Sequence, residues 1–115
     1  MKYLLSIYAS EAEEDKMSAE DTGKLMQAYG AYTEALVKAG VMQGAERLRP
    51  STDATSVRVR GGKTDVLNGP YAETREQLGG YYVIDVADLD AALAWAARCP
   101  TSSYGTIEVR PIWEM

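Results

Sequence analysis

The 115 residues predict an α+β domain in which one antiparallel sheet carries both main helices on one face. Three observations support that expectation. Runs of strand composition alternate with two stretches of helical period, and each helical stretch opens on a capping side chain, Ser18 or Asp88. Two further β-prone runs meet at Gly61-Gly62, a two-residue link that signals a hairpin because its turn needs positive φ.

Lys2 to Ala9 is the first strand; Leu5 and Ile7 alternate with Leu4, Ser6 and Tyr8, so both faces are partly apolar and the strand is interior. Glu11–Lys16 reads as a solvated acidic loop. Ser18 with Asp21 three residues on forms a capping box, which occupies otherwise orphaned backbone N–H groups, and Glu20 and Asp21 suit the positive end of the helix dipole. Leu25, Tyr29, Tyr32 and Leu36 then recur at helical spacing with Val37 beside them, and Ala39-Gly40 ends the helix.

Val41 to Leu48 is a second strand, stopped at Pro50. Thr55–Arg60 and Lys63–Asn68 are the hairpin, and Gly79 to Val86 is the next strand. Asp88 caps a second helix, Leu89 to Arg98, with Leu89, Leu93 and Ala96 on one face and alanines that favour helix and close packing. Tyr104 to Trp113 closes the chain as a strand. Without the hairpin the order is β-α-β-β-α-β, the ferredoxin-like split motif, with the hairpin as an insertion. Both helices then lie on one face, and the apolar residues of the other face call for a second copy of the chain.

At this length one domain is expected, over residues 1–115. The net charge of −5 speaks against a nucleic-acid partner, and Arg47 and Arg49 read as two faces of a strand edge. No apolar run nears the roughly 20 residues that span a bilayer. The one cysteine, Cys99, excludes an internal disulfide and suits a reducing compartment, so a cytoplasmic location is expected. It sits at a helix C-terminus, which disfavours a thiolate. With no histidine there is no Ser-His-Asp triad, no Cys-His pair and no imidazole-bound metal. No cofactor or transition metal is expected.

The segment Leu67 to Val86, L-N-G-P-Y-A-E-T-R-E-Q-L-G-G-Y-Y-V-I-D-V, resembles the signature of the YCII-related (DGPF-domain) family. The usual family form is D-G-P-F-A-E-T-K-E followed by G-G-F or G-G-Y. The resemblance continues almost end to end. It implies a dimeric α+β barrel, in which two sheets close on each other. It implies no reaction, since the family as a whole has no established activity. Proteins of this type often occur beside genes for extracytoplasmic-function sigma factors, so a non-enzymatic regulatory module is one reading. A small-molecule binder or enzyme is the other.

Within the signature, Asn68 stands where the family usually has Asp; it keeps turn formation before Gly69-Pro70 but cannot titrate. Glu73 and Arg75, with Glu76, offer a carboxylate for proton transfer beside a guanidinium for an anion, or a surface ion-pair loop, or a loop that Glu73 pins by bonding exposed backbone amides. Tyr71 replaces the family's Phe. The candidate ligand contacts are Tyr8, Tyr32, Asn68, Tyr71, Glu73, Arg75 and Trp113, with Glu73 the one catalytic candidate. Asp85, Asp88 and Asp90 lack the spacing of a calcium loop. Gly79-Gly80 leads into a strand, which suits a bulge or a close backbone approach to the signature loop and not a phosphate loop.

Overall fold

The computed structural model describes residues 1–114. Its elements are β1 (Lys2–Ala9), α1 (Glu11–Glu14), α2 (Ala19–Lys38), β2 (Met42–Arg47), β3 (Thr55–Arg60), β4 (Lys63–Asn68), β5 (Gln77–Asp85), α3 (Leu89–Arg98) and β6 (Thr106–Pro111). Short 3-10 turns stand at Ser51–Asp53 and Pro100–Ser103. The main sheet runs β2-β5-β1-β6 with every neighbouring pair antiparallel, an α+β arrangement compatible with the ferredoxin-like fold. β3 and β4 stand apart as a two-stranded sheet, turning at Gly61 and Gly62 with φ of 57° and 77°.

Alternation along β1 sends Tyr3, Leu5 and Ile7 to the helices. There they join Tyr82 and Ile84 of β5, Tyr32 and Leu36 of α2, and Ala92, Ala96 and Cys99 from α3 and its end in one core. Tyr82 is gripped by Thr33, whose hydroxyl lies 2.7 Å from the phenol, and by the Tyr32 ring packed edge-on at 5.3 Å. The opposite face presents Leu4, Tyr8, Leu78, Tyr81 and Val83, all left partly exposed. The molecule is only 18 Å thick, one sheet and one helix layer.

Several boundaries differ from expectation. Glu11–Glu14 is a helical turn and not a loop: the Ser10 hydroxyl accepts from the Glu13 amide at 3.2 Å, and three acids in the first turn suit the dipole. On α3 the inward face keeps Ala96 as expected but takes Ala92 in place of Leu89 and Leu93. Ala92 and Ala96 are buried while Leu89 and Leu93 are about half exposed, because small side chains let the helix sit close to the sheet and Trp95 fills the flank. Val37 likewise faces solvent. β6 begins at Thr106 because Pro100 opens a 3-10 turn ahead of it. Both main N-caps form, Ser18 accepting from Asp21 N at 3.0 Å and Asp88 from Ala91 N at 2.9 Å, but the return bond of a capping box, from the Ser18 N–H to the Asp21 carboxylate, does not.

Candidate functional site

A cleft of about 820 Å³ opens on the helix side of the sheet, between the N-terminal half of α2, the ends of β1, β5 and β2, and the segment 48–52. The glycine pair shapes it. Ile7 pairs with Gly80 and Tyr8 with Leu78, so Gly79 is the extra residue of a bulge. A Cβ on Gly80 would stand 2.8 Å from the Glu46 carbonyl oxygen, so only glycine lets β5 lie this close to β2. The close approach anticipated for this pair is therefore made to a neighbouring strand, not to the signature loop.

The rim is tied down from α1. The Glu11 carboxylate accepts from the Ser51 backbone N–H at 2.8 Å and from the Ser51 hydroxyl. The Glu11 N–H donates to Gln77 Oε1 at 2.8 Å, and Gln77 Nε2 donates to the Thr74 carbonyl at 2.6 Å. Gln77 thus links the signature loop to the cleft rim.

The floor is apolar and aromatic, from Ile7, Leu25, Met26, Tyr29 and Tyr82, with the two tyrosine rings parallel at 6.5 Å. At its deep end is a run of neutral polar groups. The Tyr29 hydroxyl lies 3.4 Å from Cys99 Sγ and 2.5 Å from Thr101 Oγ1. Thr101 Oγ1 lies 3.4 Å from the Tyr104 hydroxyl, which donates to Glu14 Oε2 at 2.8 Å. Burial, reinforced by the Cys99 neighbour, pushes the Tyr29 phenol far above its ordinary range. Burial also raises Tyr32, Tyr82, Tyr104 and the Cys99 thiol. At neutral pH these groups stay protonated, so they can share hydrogen bonds but are neither bases nor nucleophiles.

Folding therefore favours the protonated form of five groups, and that contribution is complete below their unfolded values of 9.0 for Cys99 and 10.0 for the tyrosines. It is lost as pH rises above those values, where only the unfolded chain ionises. Alkaline titration followed at the tyrosinate absorbance of the eight tyrosines reads this placement directly. Tyr29 and Tyr32, whose phenols burial raises most, should ionise only together with loss of circular dichroism. Full tyrosinate absorbance in a still-folded protein near pH 11 would contradict this placement.

Charge at the mouth is uneven. Arg49 is held by Asp53 at 3.0 Å; of the four acids lining the cleft, Glu11 and Glu14 are committed to Ser51 and Tyr104, while Asp15 and Glu46 make no ion pair among the described residues. Arg47 pairs across from Gly80 and projects onto the helix side, where Nη1 lies 3.8 Å from Met26 Sδ. No carboxylate reaches Arg47 within ion-pair distance among the described residues.

The residues singled out from sequence are dispersed. Tyr8 lies on the open sheet face, opposite Leu78 and Thr106. Tyr32 is buried in the core, its hydroxyl donating to the Trp95 carbonyl at 2.8 Å, and it borders a separate open depression near Arg98 and Tyr104. Asn68 ends β4, exposed opposite Thr55. Tyr71 is exposed beneath the Arg58 guanidinium, 5.3 Å from the ring centroid. Glu73, Arg75 and Trp113 are also exposed. A single chain does not gather these seven side chains into one cavity. The cleft instead takes Gln77, Gly79 and Gly80 from the end of the signature, together with Tyr29, Thr101 and Arg47. The available signal for Arg47 was strand alternation with Glu46, which sends one of the two to the helix side. Among the described residues no group of three or more His, Cys, Asp or Glu is placed to hold a metal, and no helix is long and apolar enough to cross a membrane.

The family model of the YCII-related domain matches residues 1–115. An uncharacterised protein of Rhizobium meliloti (strain 1021) is 39% identical over 114 residues, covering 97% of this chain and 92% of the relative. The chain belongs to the YCII-related family.

Proposed function

We propose that this YCII-related protein binds a small anion with an apolar body in the cleft beside Gly79-Gly80. The observation that supports this most is Arg47: a guanidinium at the cleft mouth, next to a thioether and without a carboxylate partner among the described residues, over an aromatic floor. A guanidinium in that position favours a carboxylate or phosphate held through two N–H groups. The apolar part of the ligand lies against Tyr29 and Tyr82, and Thr101 and Tyr29 offer hydroxyls at the deep end. In this reading Arg47 takes the anion-binding role first considered for Arg75, and Glu73 lies outside the cleft with Asn68, Tyr71 and Arg75. The chain works as a homodimer in which a second copy covers Leu4, Tyr8, Leu78, Tyr81 and Val83, since an apolar face of this kind is costly in water.

Phenyl phosphate is a suitable probe, with one anionic end and one aromatic end. Titration by calorimetry is expected to give saturable binding to the native protein and a higher melting temperature. Arg47→Met, which keeps the aliphatic reach, should weaken binding by about 10- to 100-fold, the worth of a charge-assisted hydrogen bond. No binding of the probe to the native protein, or equal binding to Arg47→Met, would overturn the reading.

A further inference from the structure

Thr55–Asn68 forms an arm whose chemistry the cleft does not use. Val57 faces Val66 across the hairpin and Val59 stands two residues along on the same face. These three valines are 65%, 62% and 56% exposed, in the order Val57, Val66, Val59. The arm's hydrogen bonds beyond its own ladder stay at its base and tip: Gly69 N–H donates to the Ala54 carbonyl at 2.7 Å, the Ser56 hydroxyl to the Gly69 carbonyl at 2.9 Å, and Arg60 to the Val59 carbonyl. An isolated two-stranded hairpin is marginal in water and needs a surface to pack on. The radius of gyration, 16.1 Å, exceeds the roughly 13 Å expected of a compact chain of this length, as a projecting arm requires.

We propose that this arm grips a second copy of the chain, laying its Val57, Val59 and Val66 face on the body of the partner. The proposal rests on the dimer described under the proposed function and adds a separate contact to it. Charge selects the occupant. The arm carries Arg58, Arg60 and Lys63 against Asp65, a net +2, which leaves −7 on the remainder of a chain whose total is −5. A basic arm on an acidic body is complementary to another copy of itself. The same −7 repels a nucleic acid or an anionic membrane, and three cations are few for a phosphate backbone. On the opposite side of the hairpin Arg58 covers the Tyr71 ring, which pairs two of the residue types enriched at interface anchors.

The test places the photo-reactive residue p-benzoylphenylalanine at Val59 and uses an equal mixture of ordinary and nitrogen-15-labelled protein, left to exchange subunits. After irradiation, mass spectrometry is expected to find arm-to-body cross-links that join one ordinary and one labelled peptide. In parallel, the V57T/V59T/V66T variant keeps β-branched side chains and hence the hairpin, while making the face polar. Sedimentation equilibrium is expected to show its dimer dissociation constant raised by about tenfold or more, as loss of an apolar interface anchor does. A dimer with no mixed-isotope cross-links, or with an unchanged constant for the triple variant, would overturn the arm's role and leave the sheet-face dimer standing. A monomer at micromolar concentration would overturn both. Cross-links to nucleic acid or to lipid in place of a second copy would also refute the proposal.

Discussion

Leu36→Ala is expected to cost about 2–5 kcal/mol, enough to bring a domain of this size to the edge of unfolding. Leu36 has no exposed surface and sits where α2 meets the strand residues Leu5, Tyr82 and Ile84 in the core. With only two layers, no second shell of side chains can collapse into the void. Urea denaturation should show a lower midpoint with an unchanged slope. Val37→Ala is the natural control. It is one residue away on the same helix and 59% exposed, so it should move the midpoint little. Equal effects from the two would mean that α2 is rotated from the orientation described.

Gly80→Ala is expected to be damaging where Gly79→Ala is nearly silent, although the two are adjacent and neither has a positive φ. The new methyl at 80 would meet the Glu46 carbonyl oxygen at 2.8 Å and Arg47 Cα at 3.5 Å, so β2 must move away from β5. At 79 the nearest atom is the Ile7 carbonyl oxygen at 3.9 Å, an ordinary contact. Forced separation of backbone costs about 1–3 kcal/mol, the range of overpacked sites. Because Arg47 rides on β2, Gly80→Ala should also weaken any ligand that Arg47 holds, while Gly79→Ala should bind as the native protein does. Thermal melts and the phenyl phosphate titration on the two variants separate these outcomes. Matched behaviour of the pair would show that the two strands are not in close contact at Gly80.

Elements with strong local signals were legible in the sequence. The hairpin limits Thr55–Arg60 and Lys63–Asn68 follow from Gly61-Gly62, whose φ values no β-branched residue would adopt, and the starts of α2 and α3 follow from Ser18 and Asp88. What depends on packing was harder to read. Leu89, Leu93 and Ala96 gave α3 an apparent apolar stripe, of which Ala96 is buried, yet the helix turned Ala92 inward in place of the two leucines because the sheet rewards close approach over side-chain bulk. The cleft is more distant still from local pattern. It assembles Ile7, Arg47, Tyr29, Gly80 and Thr101 from five separate segments, and only the tertiary fold brings them together. Local charge density drew attention to Glu73 and Arg75 instead, on a loop that the single chain leaves exposed. Gly79-Gly80 was the part of the signature whose backbone role could be inferred in advance, since a glycine pair entering a strand has few other physical reasons to be there.

The central claim, an anion site built on Arg47 and the aromatic floor, is tested most directly by mapping where phenyl phosphate touches the nitrogen-15-labelled protein in solution. Amide shifts that saturate with added probe are expected at Leu25, Met26, Tyr29, Arg47, Gly79 and Gly80, all on the cleft. Shifts confined to Tyr71, Glu73 and Arg75, or shifts that grow without saturation across the surface, would contradict it.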